Sequence, residues 1–536
     1  IENTSTINNH GTSVVIDISG DLILDGGNIN VGNLTIYSDT LNITTDSLIS
    51  TAGLGWKAGQ GPGYSSGCGG AYGGTSGNCN ISAYGSAIAP VDFGSGGSNT
   101  AGGGVIKINA TNVILEGSIK TNGQIVISAG HGARGGSGGS IWILSNSLSG
   151  SGIINVSGGY MTSGNTRTSG SGGRISFVNV TNYNFEGVVN VKGGQSGSYY
   201  GRTGTVSFSQ TKLDNFVLNS TLRLGNDINY TFGNLTIGDN GKLELDGDHY
   251  GGYNAVKDQY EGTGGTIFAE RIIVLTGGEI SADQLGFMYP SGPGYKASAG
   301  GTYGGKGGNN DAITYGSAEE PLALGSKAST IGGGAIRLNA SEIIINGTIT
   351  ASSAKGGTHS SGGSGGSVWI LTNNLSGSGQ IKAGGGRGDN NGHSGAGGRI
   401  SFVNVTNYNF EGFVNVSGGG DYRVGRAGTV TFSPIKLNNF VLNNTLRLGN
   451  DINYTFGNLT IADNGKLELD GDSYGNYIGG IYYGSGATIF ADKIEVLSGG
   501  EISAEGLGFD AISGPGYYDS TKGAAYGGKG GNNNTN

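Results

Sequence analysis

The segment GGRISFVNVTNYNFEG, from Gly172 to Gly187, returns letter for letter from Gly397 to Gly412, and TLRLGNDINYTFGNLTI from Thr221 to Ile237 returns from Thr445 to Ile461. The offsets are 225 and 224 residues, a spacing that compositional bias does not hold and tandem duplication does. A chain duplicated in this way folds by stacking like on like. A second motif, GPGY, occurs three times, ending at Tyr64, Tyr295 and Tyr517, and each copy is followed by a Tyr-Gly-Gly at Tyr72, Tyr303 and Tyr526. The repeats divide the chain into a partial unit or cap over 1–36, full units over 37–237 and 238–461, and a partial third unit over 462–536. A stack stopping in that last loop has an uncovered end, to be closed by further chain or by another subunit.

Inside each unit runs a shorter rhythm. Ile106-Lys107-Ile108, Ile141-Trp142-Ile143, Ile175-Ser176-Phe177 and Val206-Ser207-Phe208 follow one another at roughly thirty to thirty-six residues. Period-two alternation puts the outer two residues of each triplet on one face, and these faces are expected to stack. Second and third short apolar runs follow, as in Val113-Ile114-Leu115 and then Ser118-Ile119-Lys120. Three short strands per turn with Gly or Asn at the corners describe a parallel β-helix, an all-β solenoid. At about 4.8 Å per stacked strand, six or seven such turns give a rod-like unit on the order of 30 Å long.

Composition matters here because it removes the rivals. Of 536 residues 114 are Gly but only 7 are Pro, without the every-third-residue spacing of collagen, while the ordered apolar triplets are unlike a disordered chain. No Gly-free stretch carries a helical apolar stripe over three turns. A β-propeller needs longer alternating strands than these triplets. A bundle of extended, polyproline-II-like glycine segments is a third possibility for runs such as Gly132–Gly139 and Gly362–Gly366, but their irregular spacing reads better as loops projecting from the corners.

The net charge of -9 is scattered singly, with no basic stripe to follow a phosphate backbone, so nucleic acid is an unsuitable partner. No window has the length of apolar sequence that spans a membrane, and no signal-peptide pattern opens the chain, as expected if a leader has been removed. Two features point outside the cell. About nineteen N-x-S/T sequons occur, among them Asn33, Asn42, Asn109, Asn155, Asn179, Asn234, Asn339, Asn404, Asn415 and Asn458, each able to carry a glycan, although an Asn-, Ser- and Thr-rich chain also produces such triplets by chance. Cys68 and Cys79 share one Gly-rich loop and vanish together in its next copy, where Ala299 and Asn310 stand, which favours a disulfide over free thiols or half of a metal site.

At GRISF (Gly173–Phe177) and GSIWI (Gly139–Ile143) the chain resembles right-handed parallel β-helical surface proteins, the adhesin and haemagglutinin-like repeat proteins of microbial cell envelopes. The resemblance implies secretion, an elongated shape, and a role in attachment or in building a surface layer or filament.

Catalytic chemistry has little to stand on. β-Helical polysaccharide lyases and glycosidases need gathered carboxylates. The nearest approach is Asp246-Gly247-Asp248 with its copy Asp470-Gly471-Asp472, read either as turn chemistry or as a Ca²⁺ site. The histidines do not recur at equivalent positions: His249 corresponds to Ser473. Arg174 and Arg399, flanked by Gly, suit either pairing with loop carboxylates and carbonyls or simple exposure. Trp142 and Trp369 sit between inward residues, so their rings should point outward, under a loop or into a neighbouring molecule. Tyr64, Tyr72, Tyr84, Tyr295, Tyr303 and Tyr315, with Tyr517 and Tyr526, cluster in the GPGY loops and form, with the two tryptophans, the expected interaction surface. The expected function is therefore non-enzymatic: a structural subunit associating with copies of itself at the cell surface. An adhesin stalk binding surface glycans is the alternative, and a carbohydrate-active enzyme the third reading.

Overall fold

Triplets that alternate inward and outward can bury their apolar side chains only against other triplets, and the strand pairing follows from that need. A computed structural model describes residues 6–76, 81, 83–125, 134–160, 168–196, 199–209, 213–225, 229–247, 252–254, 259–261, 264–288, 292–310, 312, 314–357, 359–389, 392–420, 424–433, 437–443, 445–448, 453–469, 476–478, 481–483 and 487–505. Among these the protein is all-β, without helices, and its large sheets are parallel. The chain separates into two compact units: Ile1–Ala282 with Phe287–Pro290 and Ile336–Thr348, and Asp283–Gly286 with Ser291–Ala335 and Ile349–Asn536.

In the first unit the triplets align as their spacing predicts. Val14, Leu34, Ile106, Ile141, Ile175 and Val206 are paired in succession, and two residues on so are Ile16, Ile36, Ile108, Ile143, Phe177 and Phe208. Leu22, Leu41, Val113, Leu148 and Tyr183 form a ladder on a second face. On a third run Ile29, Ile49, Ile119, Ile154, Val189, Leu222, Leu243 and Ile280. Every member of this last ladder is at most 2% exposed. Burying one such side chain stabilises by roughly 1.5–3 kcal/mol, so these ladders are the core. Parallel ladders that return to the same three faces are compatible with a β-helix-like architecture.

The second unit repeats the scheme. Val368, Ile400 and Val430 pair in line, as do Ile370, Phe402 and Phe432, while Ile381, Val414, Leu446, Leu467 and Ile502 form the counterpart of the third ladder. Each unit also holds an aromatic cluster: Phe177 and Phe208 stack at 5.3 Å with Tyr183 edge-on, and Phe402 and Phe432 stack at 5.1 Å with Tyr408 edge-on.

The glycine runs differ from the projecting loops expected of them. Gly135–Gly139 and Gly170–Gly173 are buried. Backbone hydrogen bonds tie them sideways to neighbouring segments at 2.7–2.9 Å: the amides of Gly138 and Gly172 donate to the Ser171 and Arg202 carbonyls, and the carbonyls of Gly135 and Gly136 accept from the Gly70 and Gly159 amides. These segments lie closer than side chains permit: a methyl group on Gly172 would overlap the carbonyl oxygen of Val191, and one on Gly397 that of Val416. Here glycine is required for close approach of backbones rather than for a left-handed turn. These glycines are therefore packed inside the protein rather than projecting from its corners.

Candidate functional site

The chemistry-bearing residues gather in one arrangement that occurs once in each unit. The GPGY loop leads into a segment that lies across the outer side of the first sheet face, and we call this segment the strap. In the first unit Ser140, Ser176 and Ser207, from three successive strands, each donate a hydroxyl hydrogen bond at 2.6 Å to a strap carbonyl, of Asp92, Ile88 and Ala87 respectively. In the second, Ser367, Ser401 and Thr431 donate to the carbonyls of Ala323, Glu319 and Ala318 at 2.6, 2.6 and 2.7 Å.

Two tyrosines fix the near end of each strap. The rings of Tyr72 and Tyr84 stand 4.8 Å apart, as do those of Tyr303 and Tyr315. The Tyr72 hydroxyl bonds Ser140 Oγ at 2.6 Å, and that of Tyr303 bonds Ser367 Oγ at 2.7 Å. Tyr84 donates to the Phe93 carbonyl and meets Ser95 Oγ, while Tyr315 does the same with Leu324 and Ser326. Those serines in turn accept the Gly63 and Gly294 amides within the GPGY motifs. Burial pushes the Tyr72 hydroxyl up to about 12, against the opposing pull of Ser140 and Arg174. Burial likewise raises Tyr84, Tyr303 and Tyr315.

A buried arginine completes each set. Arg174, 6% exposed, lies 5.4 Å from the Tyr72 ring centroid and donates to the Tyr84 carbonyl and to Thr205 Oγ1. Arg399, 5% exposed, lies 5.3 Å from the Tyr303 ring and donates to the Tyr315 carbonyl and Thr429 Oγ1. Of the two readings left open by the sequence, pairing with carbonyls is the one realised.

This geometry corrects the expected tyrosine surface. Tyr72 and Tyr303 are fully buried and Trp369 is 5% exposed, so none of them presents a face to a partner. Amphipathic rings here pack a loop onto a sheet, with each hydroxyl finding a partner inside. Tyr84 and Tyr315 are half-buried beside them, Tyr64 is half-buried, and Tyr295 remains exposed. Trp142 is half-buried under the ammonium of Lys107, 4.6 Å from its ring centroid. Tyr517 and Tyr526 lie outside the described residues.

Asp246 is not open to a cation. It is 1% exposed, ion-paired with Arg223 at 3.3 Å, and accepts a hydrogen bond from Thr203 Oγ1. Asp248, Asp470 and Asp472 lie outside the described residues. Burial works against the charged form of the neighbouring Glu244, but Arg223 at 2.8 Å outweighs it and holds the carboxyl below its usual range. Arg447 and Glu468, 2.6 Å apart, repeat the pair in the second unit. Among the described residues no group of three or more His, Cys, Asp or Glu side chains is gathered as a metal site requires.

Asn109, Asn179, Asn404 and Asn458 are exposed, and Asn33, Asn42, Asn155, Asn234, Asn339 and Asn415 are half-buried. Asn155 and Asn415 already have a structural duty, their Oδ1 accepting the amides of Ser157 and Ser417 at the corner. Cys68 is buried, and Cys79 lies outside the described residues. The pairing of strap carbonyls with strand hydroxyls escaped the sequence reading, although the polar middle residues Ser176 and Ser207 of the triplets carried its only trace. No family model, curated protein or solved structure matches the chain. No helix among the described residues is long and apolar enough to cross a membrane.

Proposed function

We propose that the chain is a parallel β-solenoid of tandem units of roughly 225 residues, exported from the cell, that serves as a structural subunit of a surface layer or filament built from copies of itself. The observation that carries this reading is the fate of the reactive-looking side chains. Tyr72, Tyr84 and Arg174, and again Tyr303, Tyr315 and Arg399, are engaged in holding a strap to a sheet, with the same partners in both copies. Residues arranged for that purpose serve endurance rather than turnover. The sequon asparagines named above, each exposed or half-buried, support an export route in which several carry glycans.

Electron microscopy of the purified full chain at high concentration tests the reading. Fibres or sheets with a regular repeat are the expected outcome. Isolated short particles at every concentration would exclude the filament, and binding to a glycan array by those particles would favour the adhesin stalk instead.

A further inference from the structure

A stack of short parallel strands has a mechanical weakness: each strand touches only the strands above and below, so opening can proceed one row at a time from any exposed edge. The strap runs across that direction. Ser140, Arg174 and Thr205 are paired neighbours in three successive rows, as are Trp142, Ser176 and Ser207. One continuous piece of chain, from Ala87 to Asp92, accepts a bond from Ser140 in the first row, Ser176 in the second and Ser207 in the third. Arg174 reinforces the middle, reaching forward to Thr205 and outward to the Tyr84 carbonyl. The second unit builds the same bridge on Ser367, Ser401 and Thr431, with Arg399 reaching Thr429 and Tyr315.

We propose that each strap is a tether that makes the three rows it crosses open together rather than one by one. Losing the outermost row then requires breaking a bond to a segment that is simultaneously held by the two rows behind it. The sequence separations of these three bonds, 48, 88 and 120 residues, tie distant parts of the chain into one cooperative block. The tether operates within one chain, and the inference holds whether or not the chain assembles.

Native-state hydrogen exchange of the full chain tests it. In the wild type, the amides of Ser140–Leu144, Arg174–Val178 and Thr205–Ser209 should open as a single class. In the triple variant S140A/S176A/S207A, which removes three hydroxyls and little volume, this class should split. Thr205–Ser209 should lose protection by about tenfold relative to Ser140–Leu144, while Ser367–Leu371, Arg399–Val403 and Thr429–Ser433 keep theirs as an internal reference. If the triple variant does not fold, Ser207→Ala alone should detach the third row in the same way. Separate opening of the three strands in the wild type, or a uniform loss across all three in the variants, would overturn the proposal, and so would no change.

Discussion

Where the loop before the first strap has Cys68, the loop before the second has Ala299, and where the first has Cys79, the second has Asn310. Around these positions the two straps keep the same tyrosine spacing, the same arginine beneath the rings and the same serine contacts. Asn310 is 2% exposed and its carboxamide does the closing: Nδ2 donates to the Gly294 and Gly300 carbonyls at 3.0 and 2.6 Å, and Oδ1 accepts the Ala312 amide at 2.9 Å. Asn310 thus locks the loop between GPGY and the strap in the second unit, and the expected Cys68–Cys79 disulfide would be a covalent lock at the same place in the first. What the two units share is the frame of Tyr, Arg and Ser beside these positions.

Alkali should break both straps, with the largest effect. The ordinary tyrosine value is 10.0, and Tyr72 is raised to about 12 in the folded chain, with Tyr84, Tyr303 and Tyr315 raised as well. Below pH 10 their contribution to stability is fully present. Above it the unfolded chain ionises while the folded chain does not, so stability is lost as the pH rises through about 12. Thermal melts across that window, with tyrosinate absorbance as the second readout, should show ionisation and unfolding together. Ionisation well ahead of unfolding would mean that the hydroxyls are not held as described.

Next in size is the arginine. Arg174→Ala and Arg399→Ala should each cost about 3 kcal/mol, because charged hydrogen bonds to buried carbonyl and hydroxyl acceptors are lost. Denaturant unfolding read by exchange in each strap should give similar losses in the two units. A large loss in one and none in the other would end the equivalence drawn between them.

The lock itself gives the smallest effect and the sharpest comparison. Replacing Cys68 by Ala and Cys79 by Asn gives the first strap the residues of the second. It should cost at most about 3 kcal/mol, the chain-entropy worth of so short a disulfide loop, whereas Asn310→Ala should cost about 1–2 kcal/mol by removing the carboxamide's bonds to the Gly294 and Gly300 carbonyls and the Ala312 amide. Thiol titration of the wild type under denaturing conditions reports the pairing directly: two free thiols would remove the covalent lock and leave the asparagine as the general case.

The ladders were legible in the sequence because inward side chains obey a period of two: Ile106, Ile141, Ile175 and Val206 align as their triplets indicate. The straps were not legible, since their acceptors are main-chain carbonyls, which no residue type announces, and their donors lie 48 to 120 positions away. Tyr72 looked like a contact residue for the same reason: the serine that accepts its hydroxyl is 68 positions distant. The glycine layer was misread because glycine serves turns and close packing alike, and only the carbonyl facing Gly172 distinguishes the two.

Because the strap is gripped by its backbone, the bonds that hold it do not involve its side chains. Ile88 and Glu319 offer equivalent carbonyls, as do Asp92 and Ala323, although they share nothing else. Outward, the first strap shows Ile88 and Val91, 58% and 50% exposed, where the second shows Glu319 and Leu322. Duplication thus leaves each copy a stretch of surface whose text can be rewritten while its grammar stays fixed, so that a lineage of such repeats can diversify what it displays without relearning how to fold.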